Sequence, residues 1–442
     1  VSGFVTRADM LSWGRIPHVR MRVAQPGFSS QLRDLVGAEA DAPRGMLACG
    51  LLRSYGDSAL NDDGALIDMT QLDYFIRFDR ERGVIEAEAG ASLADVLKVT
   101  VPAGWFLPVT PGTKFVTLGG AIANDVHGKN HHRAGTFGRW VLKLTLLCSD
   151  GSEITVSRDD PSGMFAATVG GLGLTGIITT VTLQLSRIAS SNMAVQTIPF
   201  GHLRDFFALS KESDASHDYT VAWVDCLARG DRLGRGIFSR ARQADDGVLE
   251  LAENRGPSVP MDAPGFLLNR LSIAAFNEAY YRLAGRPKLA TVSYDPFFYP
   301  LDAIGHWNRL YGRRGFYQYQ SVVPPDVAEA ATAEMLNAIA AAGQGSFLAV
   351  LKTFGAVSSP GLLSFPMQGT TLALDFANRG TSTLALLDRL DRIVREAGGR
   401  LYPAKDGRLP PAMFKAGYPS LEQFKTFMDP GMSSTFWRRM VA

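Results

Sequence analysis

Apolar positions recur in short runs broken by glycine through the first half of the chain: GMLACG, ALIDM, VIEAEAG, VLKLTLLCSD and GIITTVTLQL, between Gly45 and Arg187. Brief aliphatic and β-branched runs bounded by turn formers predict strands. Asp150-Gly151 lies between two of these runs and is a tight-hairpin signal, because both residues tolerate the positive φ of a short turn. Helical patterns interrupt the strands over 29–40 and 92–99. In the first, SSQLRDLVGAEA, the serines can cap free amides while Leu32, Leu35 and Val36 share a face.

From 188 to 290 the period is lost, and loop-like stretches such as ENRGPSVPMDAPG appear. Beyond it YQYQSVV, FLAVLKTFG, TTLALDF and RLYP predict strands, and 326–342 predicts a helix with Asp326 and Glu329 at capping-box spacing. A further helix over 383–397 stacks Leu386, Leu387, Leu390, Ile393, Val394 and Ala397 on one stripe and stops at Gly398-Gly399. This order predicts a two-layer second domain with helices on one side of its sheet. The chain therefore divides into 1–189, 190–400 and a tail over 401–442 that is too short for its own core and must pack on a domain already made.

At 442 residues, 46% hydrophobic and 20% charged, the composition fits a globular protein of two domains. The 45 basic and 43 acidic side chains leave +2, too weak a field to gather a polyanion, and no basic stripe interleaves with aromatics, so nucleic acid is not an expected partner. Cys49, Cys148 and Cys226 stand far apart, which argues against a disulfide scaffold and predicts three small buried thiols. No stretch approaches the roughly 18 apolar residues of a membrane span, and VSGFVTRADMLSWGR lacks the features of a signal peptide. A cytoplasmic location is expected, with peripheral membrane contact left open.

No G-x-G-x-x-G follows an early strand, GGLGLTG at 170–176 comes too late, and no G-x-x-x-x-G-K-[ST] occurs, which disfavours Rossmann and P-loop chemistry. Two other glycine-rich stretches stand out. ACGLLRSYGDSAL at 48–60 follows a strand and can aim amides at a phosphate. In PGTKFVTLGGAIANDVHGKNHH at 111–132, small residues enter a helix whose free amides suit a pyrophosphate. Each alone reads equally as a tight turn, and the pair in one domain is more specific.

Together these stretches resemble the two pyrophosphate loops of the vanillyl-alcohol oxidase, or PCMH-type, FAD-binding family. The resemblance spans essentially the whole chain. Through PLDAIGHWNRLYG at 300–312, QYQ at 318–320, LSFP at 363–366 and YPAKDGR at 402–408 it favours the decaprenylphosphoryl-β-D-ribose oxidase subgroup. It implies an α+β fold: a two-subdomain PCMH-type FAD-binding domain with an inserted substrate domain built on an antiparallel sheet. It implies FAD held by Gly50, Leu51, Leu52, Arg53, Ser54, Tyr55, Gly56, Pro111, Gly112, Thr113, Thr117, Gly119, Gly120, Ala123, Asn124, His127, Gly128, Asn130, His131, Gly173, Gly176 and Ile178. Arg53 stands where many relatives carry an attachment histidine, so the FAD is expected to be non-covalent. Three positions depart from the pattern: Leu52 replaces a common glycine, Ala373 a cysteine and Phe298 a tyrosine.

Alcohol oxidation by a flavin needs a C–H bond held over the ring and a group that manages the hydroxyl proton. The resemblance assigns catalysis to Lys405, Tyr55 and His127, with Lys405 either basic or electrostatic. It assigns substrate contact to His127, Lys129, Phe298, Gln318, Gln320, Lys352, Ala373 and Lys405, and Lys352 would suit a phosphate. Asn269 and Arg313 are weaker candidates. His127, His131 and His132 have a metal-like spacing, but Gly128 interrupts it and no acidic partner completes a site, so no metal is expected. The implied reaction oxidises the 2′-hydroxyl of decaprenylphosphoryl-β-D-ribose, the first half of an epimerisation in cell-wall arabinan biosynthesis. Quinone or oxygen would accept electrons, and a separate NAD(P)H-dependent reductase would finish the epimerisation. The alternatives are a soluble alditol or aldonolactone oxidase and a non-catalytic flavin-binding protein.

Overall fold

A computed structural model describes residues 3–39, 42–252 and 256–442. The predicted helix end at Ala40 and residues 253–255 of the ENRGPS stretch lie outside them.

Two small sheets carry the glycine-rich loops. Met21–Ala24 and Met46–Cys49 flank Ala65–Asp68 in parallel, with Val5–Arg7 antiparallel at the edge. Helix Ser29–Glu39 buries Leu32, Leu35 and Val36, the face its sequence predicts. The second sheet runs Phe75–Asp79, Val84–Glu88, Ile177–Gln184, Val141–Leu147, Glu153–Ser157, all antiparallel. The expected hairpin joins its last two strands, and Gly151 takes a φ of +83°. Ser92 caps Leu93–Thr100 by accepting from the Asp95 amide at 3.1 Å.

The inserted domain is an eight-stranded antiparallel sheet, from Lys288–Ser293 at one edge through Asn192–Phe200, Gly236–Gln243, Tyr219–Val224, Ala349–Phe354, Gly369–Ala377 and Phe316–Val323 to Arg400–Leu401. Its inner core face presents Tyr319, Leu351, Leu372, Leu374 and Phe238 to helices Leu203–Ser213, Ala328–Ala342 and Thr381–Glu396, which contribute Phe206, Leu336, Ile339, Leu387 and Leu390. Strand alternation sends Gln318, Gln320, Val350, Lys352 and Ala373 to the opposite side, toward the first domain.

Several elements depart from the sequence reading. Among the described residues, the stretch 188–290 holds four strands, the last running on to Ser293, and two long helices. Its alternation is blurred because one sheet face packs on helices while the other lines a cavity with mixed side chains such as Val195, Ile237 and Ser239. The helix expected from Asp326 starts at Ala328 after a 3-10 turn, Pro325–Val327, and no side chain caps it. That turn spends the backbone position from which Asp326 would cap. Cys49 and Cys226 are buried, whereas Cys148 is only half-buried.

The tail touches more than the first domain. Phe414, Tyr418, Phe424, Phe436 and Trp437 join the core beneath the large sheet. Met432 bridges alongside Met46, and Arg439 holds the buried Asp57 through two bonds of 2.9 Å. Among the described residues, no helix is long and apolar enough to cross a membrane.

Candidate active site

A cavity of about 1150 Å³ runs between the first domain and the polar face of the inserted sheet. Backbone dominates one end. Gly50–Ser54, Pro111–Thr113, Thr117 and Gly120 all line it, and among the described residues no amide from Leu51 to Ser54 donates a hydrogen bond within the chain. A Cβ on Gly50 would stand 2.2 Å from the Thr117 Oγ, so glycine is what lets the two loops meet. A Cβ on Gly112 would meet nothing within 4 Å, leaving open space beside the backbone. Small residues, free amides and an elongated cavity fit a dinucleotide pyrophosphate, so the residues present suit FAD.

Leu52 occupies this loop with φ at +50°. A glycine would take that left-handed conformation freely, whereas leucine bears strain there. Trp13, which sequence reasoning missed, lines the cavity with its ring centre 4.0 Å from the Arg53 guanidinium carbon and 5.6 Å from that of Trp307.

The other end of the cavity is polar and cationic. Tyr55 donates its amide to the Ala404 carbonyl at 2.9 Å, and the Lys405 ammonium sits 4.1 Å from the Tyr55 ring centre. The approach depends on two glycines, because a Cβ on Gly56 would lie 2.4 Å from the Gly407 Cα. His127 is buried against Phe354, Phe365 and Tyr402. The Gln320 amide nitrogen lies 3.0 Å from the His127 Nε2 and 3.2 Å from the Thr371 Oγ. In that assignment it donates to both, so the His127 proton sits on Nδ1. Asp125, two residues earlier, accepts from the Gly138 amide at 2.8 Å and from Ser364 at 2.5 Å, which fixes the turn that presents His127.

Electrostatics follow from burying like charges together. Burial, then the charges of Lys352, His131 and Lys405, hold His127 well below the usual histidine range, so the ring is neutral. Burial lowers Lys352 to about 8, and burial followed by Lys352 lowers Lys129 to about 7. Lys405 falls to about 8 through burial, with Asp375 pulling it upward and Lys352 downward. Asp375 itself rises to about 7 by burial while accepting from the Gln318 amide at 2.7 Å. Asp375 was missed in the sequence. Its signal was the alternation of TTLALDF, which puts it on the face of Ala373.

Of the anticipated substrate contacts, His127, Lys129, Phe298, Gln318, Gln320, Lys352, Ala373 and Lys405 all line the cavity. Ala373 pairs in register with Gln320 and Val350. Next to Phe298, Tyr299 bonds the Thr110 hydroxyl at 2.7 Å. Several anticipated flavin contacts lie off the wall. Gly119 packs near Ala89, Gly56 on Gly407, and Asn130 donates to the Pro108 carbonyl at 2.8 Å. Gly176 has φ at +127° beside Leu147, Ile178 is buried in a core, and His131 packs on Phe354, brought to about 3 by burial and nearby cations. Asn269 caps helix Arg270–Ala284, Arg313 is exposed near Asp262, and His132 bonds the His217 carbonyl at 3.0 Å.

Residues 21–157 match the FAD binding domain family. Fold and cavity define the class: an FAD-dependent oxidoreductase that acts on a CH–OH group. Over 431 residues the chain is 35% identical to decaprenylphosphoryl-β-D-ribose oxidase of Mycolicibacterium smegmatis, spanning 95% of this chain and 93% of that protein. It is 36% identical over 365 residues to an uncharacterized Streptomyces coelicolor protein from the mprA 5′ region, spanning 78% of this chain and 97% of that one. L-gulonolactone oxidase of Mus musculus is 29% identical over 162 residues, 36% of each chain. The chain belongs to the vanillyl-alcohol oxidase/PCMH family of FAD-binding proteins and is homologous to decaprenylphosphoryl-ribose oxidase.

Proposed function

We propose that this protein oxidises the 2′-hydroxyl of a polyprenylphosphoryl pentose, decaprenylphosphoryl-β-D-ribose being the best match, to the 2′-keto sugar. The observation that carries the reading is the convergence of Lys129, Lys352 and Lys405 beside His127 and Gln320 at one end of the cavity. Lys405 has Asp375 nearby, whereas no carboxylate offsets Lys129 or Lys352 among the described residues, and a sugar phosphodiester would supply that anion. FAD bound along the loops supplies a hydride acceptor. Neutral His127 and Gln320 can orient sugar hydroxyls, and Lys405, titrating near neutrality, can take the hydroxyl proton as the neutral amine or, as the cation, stabilise the negative charge that develops. Burial pushes the Cys49 thiol well up, which keeps this cavity-lining sulfur protonated and supports non-covalent FAD. Quinone or oxygen would reoxidise the flavin, and a separate NAD(P)H-dependent reductase would complete a C2 epimerisation.

The test is anaerobic mixing of the purified flavoprotein with polyprenylphosphoryl-ribose. Rapid loss of oxidised-flavin absorbance is expected, and Lys405→Met should slow it by about 10²-fold or more. Lys405→Arg keeps the charge but cannot take the proton, so its rate separates the two roles. Bleaching by an alditol or aldonolactone alone would overturn the lipid-linked substrate, and no bleaching by any alcohol would overturn the enzymatic reading.

A further inference from the structure

The solvent-facing apolar side chains are concentrated over 261–289. Phe266 is 73% exposed, Leu271 80%, Leu283 82% and Leu289 75%, a density that a purely solvated surface does not explain. Helix Arg270–Ala284 organises the patch. It buries Ile273 and Asn277 on its inner side. Phe276 and Tyr280, one turn apart, stack at 5.7 Å with rings 8° from parallel, and both are about half exposed while lining the cavity. The apolar patch is therefore continuous with the cavity mouth.

Charge selects the occupant. Arg270, Arg286 and Lys288 are exposed around the patch, while Glu278 is engaged by Arg235 and Arg282. A rim of cations around apolar side chains complements anionic headgroups over acyl chains. A tight protein partner on this face would instead cover the mouth through which substrate passes.

We propose that this face docks the protein on an anionic lipid bilayer, with Phe266, Leu271 and Leu283 seated among the acyl chains and the cavity mouth opening at the membrane. In purpose this rests on the lipid-linked substrate reading, since a polyprenyl chain could then stay in the bilayer while its sugar reaches Lys405. The docking itself is tested without substrate.

The full-length flavoprotein is sedimented with vesicles of phosphatidylcholine plus phosphatidylglycerol and with vesicles of phosphatidylcholine alone. Co-sedimentation with the anionic vesicles is expected. Binding should weaken by about tenfold or more in a Leu271→Glu/Leu283→Glu variant. Neither residue lines the cavity, so flavin content and oxidation of a short-chain, water-soluble substrate should be unchanged. Phe266→Ser, in the preceding loop, gives the same reading if the double variant fails to fold. A wild-type protein left in the supernatant with both vesicle types overturns the proposal, as does variant binding equal to wild type. So does a wild-type dimer in light scattering that the double variant converts to monomer. Failure of polyprenylphosphoryl-ribose to reduce the flavin would sink the substrate reading and leave the vesicle result standing.

Discussion

Lys352 is held in the folded state at an electrostatic cost. Its value of about 8 lies below the roughly 10.4 of an unfolded lysine, so the unfolded chain binds this proton more tightly. Its stability contribution is complete above the unfolded value and is lost as pH falls toward about 8. Lys352→Met should therefore stabilise the ligand-free protein at pH 7 and much less near pH 10. The full shift would overstate the gain, because the cavity leaves this side chain half-buried and water reaches it, so about 1 kcal/mol is expected in denaturant unfolding. The same variant should bind a phosphorylated substrate about tenfold more weakly. Much of the site was legible at this scale. RSYGD and AKDGR marked the Tyr55 and Lys405 ends, and Leu52 stood out as a leucine in a glycine's place. Trp13 was not legible, because its role arises from stacking on Arg53 across the fold and no local pattern records that contact.

Between elements, the decisive contact is made where side chains are missing. Gly56 and Gly407 let two loops touch backbone to backbone, and that contact holds Lys405 over Tyr55. A methyl group at Gly56 would meet both the Cα and the nitrogen of Gly407 within 2.5 Å, with only backbone to yield. Gly56→Ala should cost about 1–3 kcal/mol and lower the flavin retained on gel filtration. Strands such as Val84–Glu88 and Gly369–Ala377 were readable because one consistent environment meets each face. Between 188 and 290 that consistency fails, since sheet faces there are shared by a core and a mixed-polarity cavity. The helix start at Ala328 was misplaced because a proline turn competes with a local capping pattern, and tertiary packing decides between them.

Across the whole molecule, the tail acts as a clamp. Asp57 is almost fully buried, and Arg439 is its bidentate partner. Arg439→Ala would leave that carboxylate unpaired. Because Arg439 is itself partly exposed, water replaces some of the loss, and about 1–3 kcal/mol is expected as a lower urea midpoint with an unchanged slope. A glycine-rich first domain and a second sheet domain could be read from the order of patterns, and the resemblance implied that the second is inserted. The clamp could not, because it pairs Met432 with Met46 across most of the chain and leaves no periodic trace.

This clamp also orders events during synthesis. As the polypeptide leaves the ribosome, the strand Met46–Cys49 and the loop holding Tyr55 emerge first, and they wait while the whole inserted sheet is made. Lys405, Met432 and Arg439 follow it, so Tyr55 gains its Ala404 partner and Asp57 its arginine only after the inserted sheet has been made. Joining of the early loop to the tail is therefore a late step in the folding of this chain.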